Sequence, residues 1–154
     1  MIPVARLNHA VLFVRDVEAS VAFYRDALDF RAVHQLPGAA FLQAAASNND
    51  HDLGLFGIGS GAGPKRGGIG LYHLAWQVDT IDELAAARDA LRAAGAYTGE
   101  SSHGATKSIY GADPDGNEFE IMWRVPREAW GEYEQRGAVM PLDMEAEVRR
   151  YGAT

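Results

Sequence analysis

Leu7-Asn8-His9-Ala10-Val11-Leu12-Phe13-Val14 and Leu71-Tyr72-His73-Leu74-Ala75-Trp76-Gln77-Val78 are the two stretches that decide how this chain folds. Each is an apolar strand with His at its third position. Each is followed, after a polar pair (Arg15-Asp16 or Asp79-Thr80), by a helical repeat of apolar residues, over 17–28 and 81–94. His73 follows His9 by 64 positions, and Arg25-Asp26-Ala27-Leu28 recurs 63 positions on as Arg88-Asp89-Ala90-Leu91. An internal duplication accounts for both offsets.

Working outward, Asp16 and Thr80 are suited to capping the two helices, with Glu83 placed to complete a capping box. Val17, Val21, Tyr24 and Leu28 mark one buried helix face; Ile81, Leu84 and Leu91 mark the other. Gly95 fits a helix C-terminus, where a positive φ carries no steric penalty for glycine. Three strands are expected after each helix: roughly 30–35, 40–45 and 52–58, then 96–99, 107–111 and 118–124. Pro37-Gly38 and Asp115-Gly116-Asn117 form their turns. The fold class is therefore α+β, as tandem βαβββ modules over about 5–58 and 70–125, joined by a glycine-rich link at 59–69. Each sheet needs one face covered, and packing the two modules together would supply that cover. In the extension 126–154, a helix is expected over 127–136 carrying Trp130 and Tyr133, then a short helix ending at Tyr151. The extension packs on its own domain or on a partner subunit.

The chain of 154 residues can build a core without disulfides or a structural metal, and 47% hydrophobic with 23% charged residues places it among ordinary globular proteins. A formal charge of −7 leaves no basic surplus for nucleic acid or anionic membranes. The absence of Cys removes thiolate nucleophiles and iron–sulfur ligation. With no leader-like or membrane-spanning stretch, a cytoplasmic enzyme or binding protein is expected. The chemistry must be sought at the five His residues.

In regular strands His9 shares a face with Val11 and Phe13, and His73 with Ala75 and Gln77. Glu120 lies inside the last strand between apolar neighbours, where a carboxylate is costly unless paired or metal-bound. Two imidazoles and a carboxylate on neighbouring strands would leave coordination positions open, as in facial-triad Fe(II) sites. A single strand His is more often a hydrogen-bonded core residue; two at equivalent repeat positions bring ligation level with that reading. Tyr110 reads as a core tyrosine or a site residue, His103 as a loop His or a functional one, and His51 as a possible cap of the turn-like run Asn48-Asn49-Asp50. Asp113 and Asp115 read as turn residues. Gly54 leaves room for substrate or marks a bulge. His34 reads as a strand-edge residue.

These modules, the paired His residues and Asp113-Pro114-Asp115-Gly116-Asn117-Glu118-Phe119-Glu120 resemble the vicinal oxygen chelate superfamily over about residues 5–125. That superfamily includes glyoxalase I, extradiol dioxygenases, fosfomycin-modifying enzymes, epimerases and bleomycin-binding proteins. The resemblance implies one metal in a cleft between modules, held by His9, His73 and Glu120. Glyoxalase-like members carry a fourth ligand in the first module; matching 51–56 to 118–123 sets Leu53 at that position, and leucine cannot ligate. The chain looks more like small catechol 2,3-dioxygenases. His51-Asp52-Leu53-Gly54-Leu55 is similar to their His-Asp-x-Ala-Leu stretch, Tyr110 lies ten residues before Glu120, and Ser102-His103-Gly104 resembles a further loop His. Pro126-Arg127-Glu128 with Trp130, and Pro141-Leu142-Asp143, are similar to their tail. The implied activity is ring cleavage of an aromatic, catecholic small molecule by O2, with Fe(II) or alternatively Mn(II). In it His51 is the acid/base group, Tyr110 binds a substrate oxygen and His103 steadies the substrate. A homodimer is the expected assembly, the site closing within one chain or across two. The alternatives are a metal-dependent isomerase or epimerase, using Gln77 or Asp52 as base, and a metal-free drug-binding protein using Trp76 or Trp123.

Overall fold

A strand extends only as far as its neighbour lets it, and that shortens the first one. In the computed structural model, which describes residues 2–64 and 68–153, the elements are β1 Ala10–Val14, α1 Val17–Leu28, β2 Arg31–Leu36, β3 Ala39–Gln43, β4 Leu53–Gly57, β5 His73–Val78, α2 Ile81–Ala93, β6 Tyr97–Ser102, β7 Thr106–Ala112, β8 Glu118–Arg124 and α3 Met144–Tyr151. The expected start of β1 at Leu7 is corrected to Ala10. Ala10 pairs with Leu53, the first residue of β4, and its N–H donates to Asp52. Residues 7–9 have no strand alongside to accept their ladder bonds. His9 thus lies just ahead of β1 rather than inside it. By the same logic β5 opens on His73, opposite the first residue of β8, and not at Leu71.

The chain divides into two compact units, 1–66 and 67–154, each a βαβββ repeat. Of the expected link, residues 65–67 lie outside the described residues. In the first unit the strand order is β1-β4-β3-β2, with β1 and β4 parallel and the other pairs antiparallel. Strand alternation sends Leu12, Val14, Ala40, Leu42, Leu53 and Leu55 to one buried face, with Val21 and Tyr24 of α1 also buried. Each fully buried Leu or Val side chain contributes about 1.5–3 kcal/mol. The opposite face carries Val11, Phe13, Phe41, Gly54 and Phe56, with Phe41 and Phe56 edge-to-face at 5.9 Å. Asp16 caps α1 by accepting from the N–H groups of Glu18 and Ala19. The helix ends at Asp29, whose φ of 55° places it in the left-handed region.

The second unit repeats the order as β5-β8-β7-β6. Ile109, Phe119, Ile121 and Trp123 are buried, as are Ile81, Leu84 and Leu91 of α2. The Thr80–Glu83 capping box forms, and Gly95 follows the helix with φ 66°. Gly111 is required by packing: a Cβ there would lie 2.6 Å from the Phe119 ring. Asp113 holds the turn into β8. One of its oxygens accepts from the backbone N–H groups of Asp115 and Asn117, the other from the Asn117 side chain.

The extension packs on its own unit. The helix expected over 127–136 is replaced by two short 3-10 turns, Arg127–Ala129 and Gly131–Glu134, because Gly131 adopts φ 53° and interrupts the helical path. Trp130 Nε1 donates to the carbonyl of Val125, and Met140 forms a reciprocal pair of backbone hydrogen bonds with Ser102. In α3, Met144 is 1% exposed and Tyr151 lies 5.3 Å from the Trp123 ring. Among the described residues no helix is long and apolar enough to cross a membrane.

Candidate metal and catalytic residues

In both units the face away from the helix carries the polar chemistry. In the second unit β5 and β8 run parallel with His73 opposite Glu118 and Ala75 opposite Glu120, while β7 sets Tyr110 opposite Glu120. His73 and Glu120 therefore share a face, and their Nε2 and Oε2 atoms are 3.0 Å apart. The other carboxylate oxygen accepts a 2.5 Å hydrogen bond from Ser108 Oγ, a fully buried hydroxyl. The Glu120 side chain is 14% exposed, so its charge is balanced by neighbours more than by water. An imidazole nitrogen and a carboxylate oxygen this close share a proton or a cation, and this N/O donor pair suits a divalent metal.

Tyr110 stands beside this pair, its ring centroid 6.1 Å from that of His73. Its hydroxyl is 2.9 Å from His103 Nε2 and 3.0 Å from Ser101 Oγ, so Tyr110 and His103 are joined directly. The other ring nitrogen of His103 donates to the carbonyl of Ala138, 2.8 Å away in the C-terminal extension.

The first unit brings His9 and His51 together, with ring centroids 4.5 Å apart; Phe41 meets His51 edge-on at 5.1 Å. Both imidazoles use Nδ1 on the preceding residue: His9 donates to Asn8 Oδ1 at 2.8 Å, and His51 to Asp50 Oδ2 at 2.7 Å. In the neutral form of either ring Nε2 then carries the lone pair, the form needed by a metal ligand or a proton acceptor. The hydrogen bond from His51 holds the exposed Asp50 carboxyl below its ordinary value. Asp52, rather than His51, secures the loop before β4. It accepts from the backbone of Ala44 and from the side chains of Ser47 and Asn49. Its carboxylate is thus committed to structure, and Gln77, the other candidate base, is exposed on β5.

One sequence correspondence is corrected. Val11 pairs with Gly54 and Ala75 with Glu120, and Val11 and Ala75 are separated by the same 64 positions as His9 and His73. The first-unit counterpart of Glu120 is therefore Gly54. Leu53 is one place off and fully buried on the helix face. Glycine, like leucine, offers no donor. Among the described residues, no group of three or more His, Asp or Glu side chains stands assembled as a metal cluster. His73 and Glu120 are paired in one unit, and His9 and His51 in the other. His34 lies exposed on edge strand β2.

The sequence reading missed Asn8, Ser101, Ser108 and the Ala138 carbonyl, and took Asp50 only for part of a turn. The one available signal was that His9 and His51 each follow an amide or acid, in Asn8-His9 and Asp50-His51.

Comparison with known proteins agrees with this architecture. Residues 6–121 match the family described as the Glyoxalase/Bleomycin resistance protein/Dioxygenase superfamily. The chain is 33% identical over 120 residues to biphenyl-2,3-diol 1,2-dioxygenase 3 of Rhodococcus globerulus, a match covering 76% of this chain and 62% of that protein. It is 29% identical over 131 residues to catechol-2,3-dioxygenase of Bacillus subtilis (strain 168), covering 80% and 43%. The chain thus spans about three fifths or less of these relatives' lengths. The fold is shared with a glyoxylase/bleomycin resistance protein/dioxygenase domain from Frankia sp. EAN1pec, with a TM-score of 0.67 at 21% identity, covering 80% of this chain and all of that one.

Proposed function

The chain belongs to the Glyoxalase/Bleomycin resistance protein/Dioxygenase superfamily, and on that premise we propose that it is an extradiol-type dioxygenase, opening a catecholic ring with O2 next to its two hydroxyls. The observation that carries the proposal is the His73–Glu120 contact with Tyr110 and its hydrogen-bonded His103 on the same unit. The relatives named for biphenyl-2,3-diol and catechol support an aromatic diol as substrate.

His73, Glu120 and His9 would hold the metal, Fe(II) first and Mn(II) second for this N/O donor set. Bound there, it would supply Lewis-acid and one-electron redox chemistry at one point. Ser108 fixes the Glu120 carboxylate by occupying one oxygen. Asn8 fixes the His9 tautomer. His51 accepts and returns a proton at Nε2, its ring oriented by Asp50, since an imidazole nitrogen can take up a proton and give it back. Tyr110 hydrogen-bonds a substrate oxygen through its hydroxyl, and His103 holds that hydroxyl. Val11, Phe13, Phe41 and Phe56 offer an apolar surface suited to an aromatic ligand. A homodimer remains the proposed assembly.

Gly54 and the committed Asp52 weigh against the isomerase alternative, because neither supplies a free carboxylate at the position equivalent to Glu120. The test is oxygen uptake by protein loaded anaerobically with Fe(II) and mixed with a panel of catechols. Stoichiometric uptake with a yellow ring-opened product supports the proposal. Metal-dependent conversion without oxygen consumption overturns it in favour of an isomerase.

A further inference from the structure

Ser101, His103 and Tyr110 form a closed triangle: Ser101 Oγ lies 3.0 Å from both His103 Nε2 and Tyr110 Oη, and those two atoms are 2.9 Å apart. The fourth member comes from the C-terminal extension. A carbonyl oxygen only accepts, so the 2.8 Å contact of Ala138 with His103 Nδ1 places the ring proton on Nδ1. In the neutral ring His103 Nε2 then brings no proton to the triangle and can only accept. The extension also grips the loop from its other side: the Tyr133 ring is seated on Gly104, where a Cβ would lie 2.3 Å from it. Ser102 and Met140, flanking these contacts, exchange two backbone hydrogen bonds.

The proton inventory has a consequence. Three edges are served by two hydroxyl protons, and only one hydroxyl at a time donates fully to Nε2. When Tyr110 donates to Nε2, its oxygen is left as an acceptor. When Ser101 donates to Nε2 instead, the Tyr110 proton is released to point elsewhere. We propose that Ser101 is a positioning residue that takes over His103 Nε2, converting the Tyr110 hydroxyl from an acceptor into a donor toward a bound diol oxygen. The extension makes this exchange possible by locking the His103 tautomer. No bond breaks and no proton leaves the triangle; one hydrogen bond is traded for another. The inference rests on the ring-cleavage reading for its substrate, although the triangle itself does not depend on that reading.

The test has two arms. In the first, ligand-free protein carrying 15N-labelled His is observed by NMR. His103 is expected protonated on Nδ1, with its Nε2 resonance moved by either Ser101→Ala or Tyr110→Phe and returned by Ser101→Thr. A proton on Nε2, or an Nε2 resonance indifferent to Ser101→Ala, overturns the proposal. In the second arm, Ser101→Ala in iron-loaded protein lowers kcat for catechol about 5-fold, the worth of one net hydrogen bond, with iron content unchanged and recovery in Ser101→Thr. Turnover equal to the parent's also overturns it. Should the parent turn over no catechol, the ring-cleavage reading fails while the first arm still decides the triangle.

Discussion

Lys107 of β7 and Glu147 of α3 form an ion pair at 2.9 Å with side chains only 9% and 19% exposed, and this pair ties the C-terminal extension to the second unit. Lys107 also donates to Ser102 Oγ at 2.8 Å. Removing one partner leaves an ammonium in a nearly dry site with a single neutral acceptor. Glu147→Ala should therefore destabilise by about 3 kcal/mol, whereas replacing both residues, as Lys107→Met with Glu147→Leu, should recover most of the loss. Urea unfolding followed by tryptophan fluorescence gives the comparison. A double replacement no better than the single one would refute the burial argument.

The loop beneath Tyr133 gives a paired prediction. Gly104 and Gly116 have nearly the same positive φ, 78° and 80°, but only at Gly104 would a Cβ meet another group, the Tyr133 ring at 2.3 Å. Alanine at either site carries the left-handed backbone cost of roughly 1 kcal/mol. At Gly104 the displaced ring adds to that cost. Gly104→Ala should lower Tm clearly more than Gly116→Ala; equal shifts would mean that Tyr133 moves aside freely.

The role proposed for His51 is proton transfer, not metal binding. His51→Ala should leave iron content unchanged and slow ring cleavage ~10²-fold, in line with loss of a general acid/base group. Asp50→Asn keeps the imidazole and removes the anion behind it, so a smaller loss is expected. Steady-state kinetics with catechol, alongside iron analysis, separates the two effects.

The same pair predicts a pH dependence. His51 depresses the Asp50 carboxyl from its ordinary 3.8, chiefly through their side-chain hydrogen bond. A depressed carboxyl contributes favourably above its unfolded value, and that contribution disappears as pH falls through the lower folded value. The Asp50 carboxyl carbon, followed by NMR, should therefore titrate below 3.8 in the parent and near 3.8 in His51→Ala. An unchanged midpoint would mean that the contact does not persist in solution.

What could be read from the sequence was what local periodicity and turn chemistry determine. Val17–Leu28 and Glu118–Arg124 were found at both ends, because cap, repeat and turn residues agree there. The phase of Glu120 followed from strand alternation. The one-residue error at Leu53 has a different origin: register across β1 and β4 is set by which backbone groups pair, and no side chain at 51–54 declares it. The failed helix over 127–136 turns on the positive φ of Gly131, invisible to hydrophobic spacing. Least legible were the groups that fix ring orientation. Asn8 and Asp50 act through the path of their own loops, and the Ala138 oxygen belongs to the backbone, which has no sequence signature.

The central proposal is that His9, His73 and Glu120 bind one metal ion. Iron content after anaerobic loading and gel filtration tests it directly, in the parent and in His9→Ala, His73→Ala and Glu120→Ala. About one iron per chain is expected in the parent and little in any variant, because losing even an outer-shell partner typically costs ~10–100-fold in metal affinity and losing a ligand costs more. Full iron retention in His9→Ala would contradict the shared site, since the ion would then depend on the second unit alone.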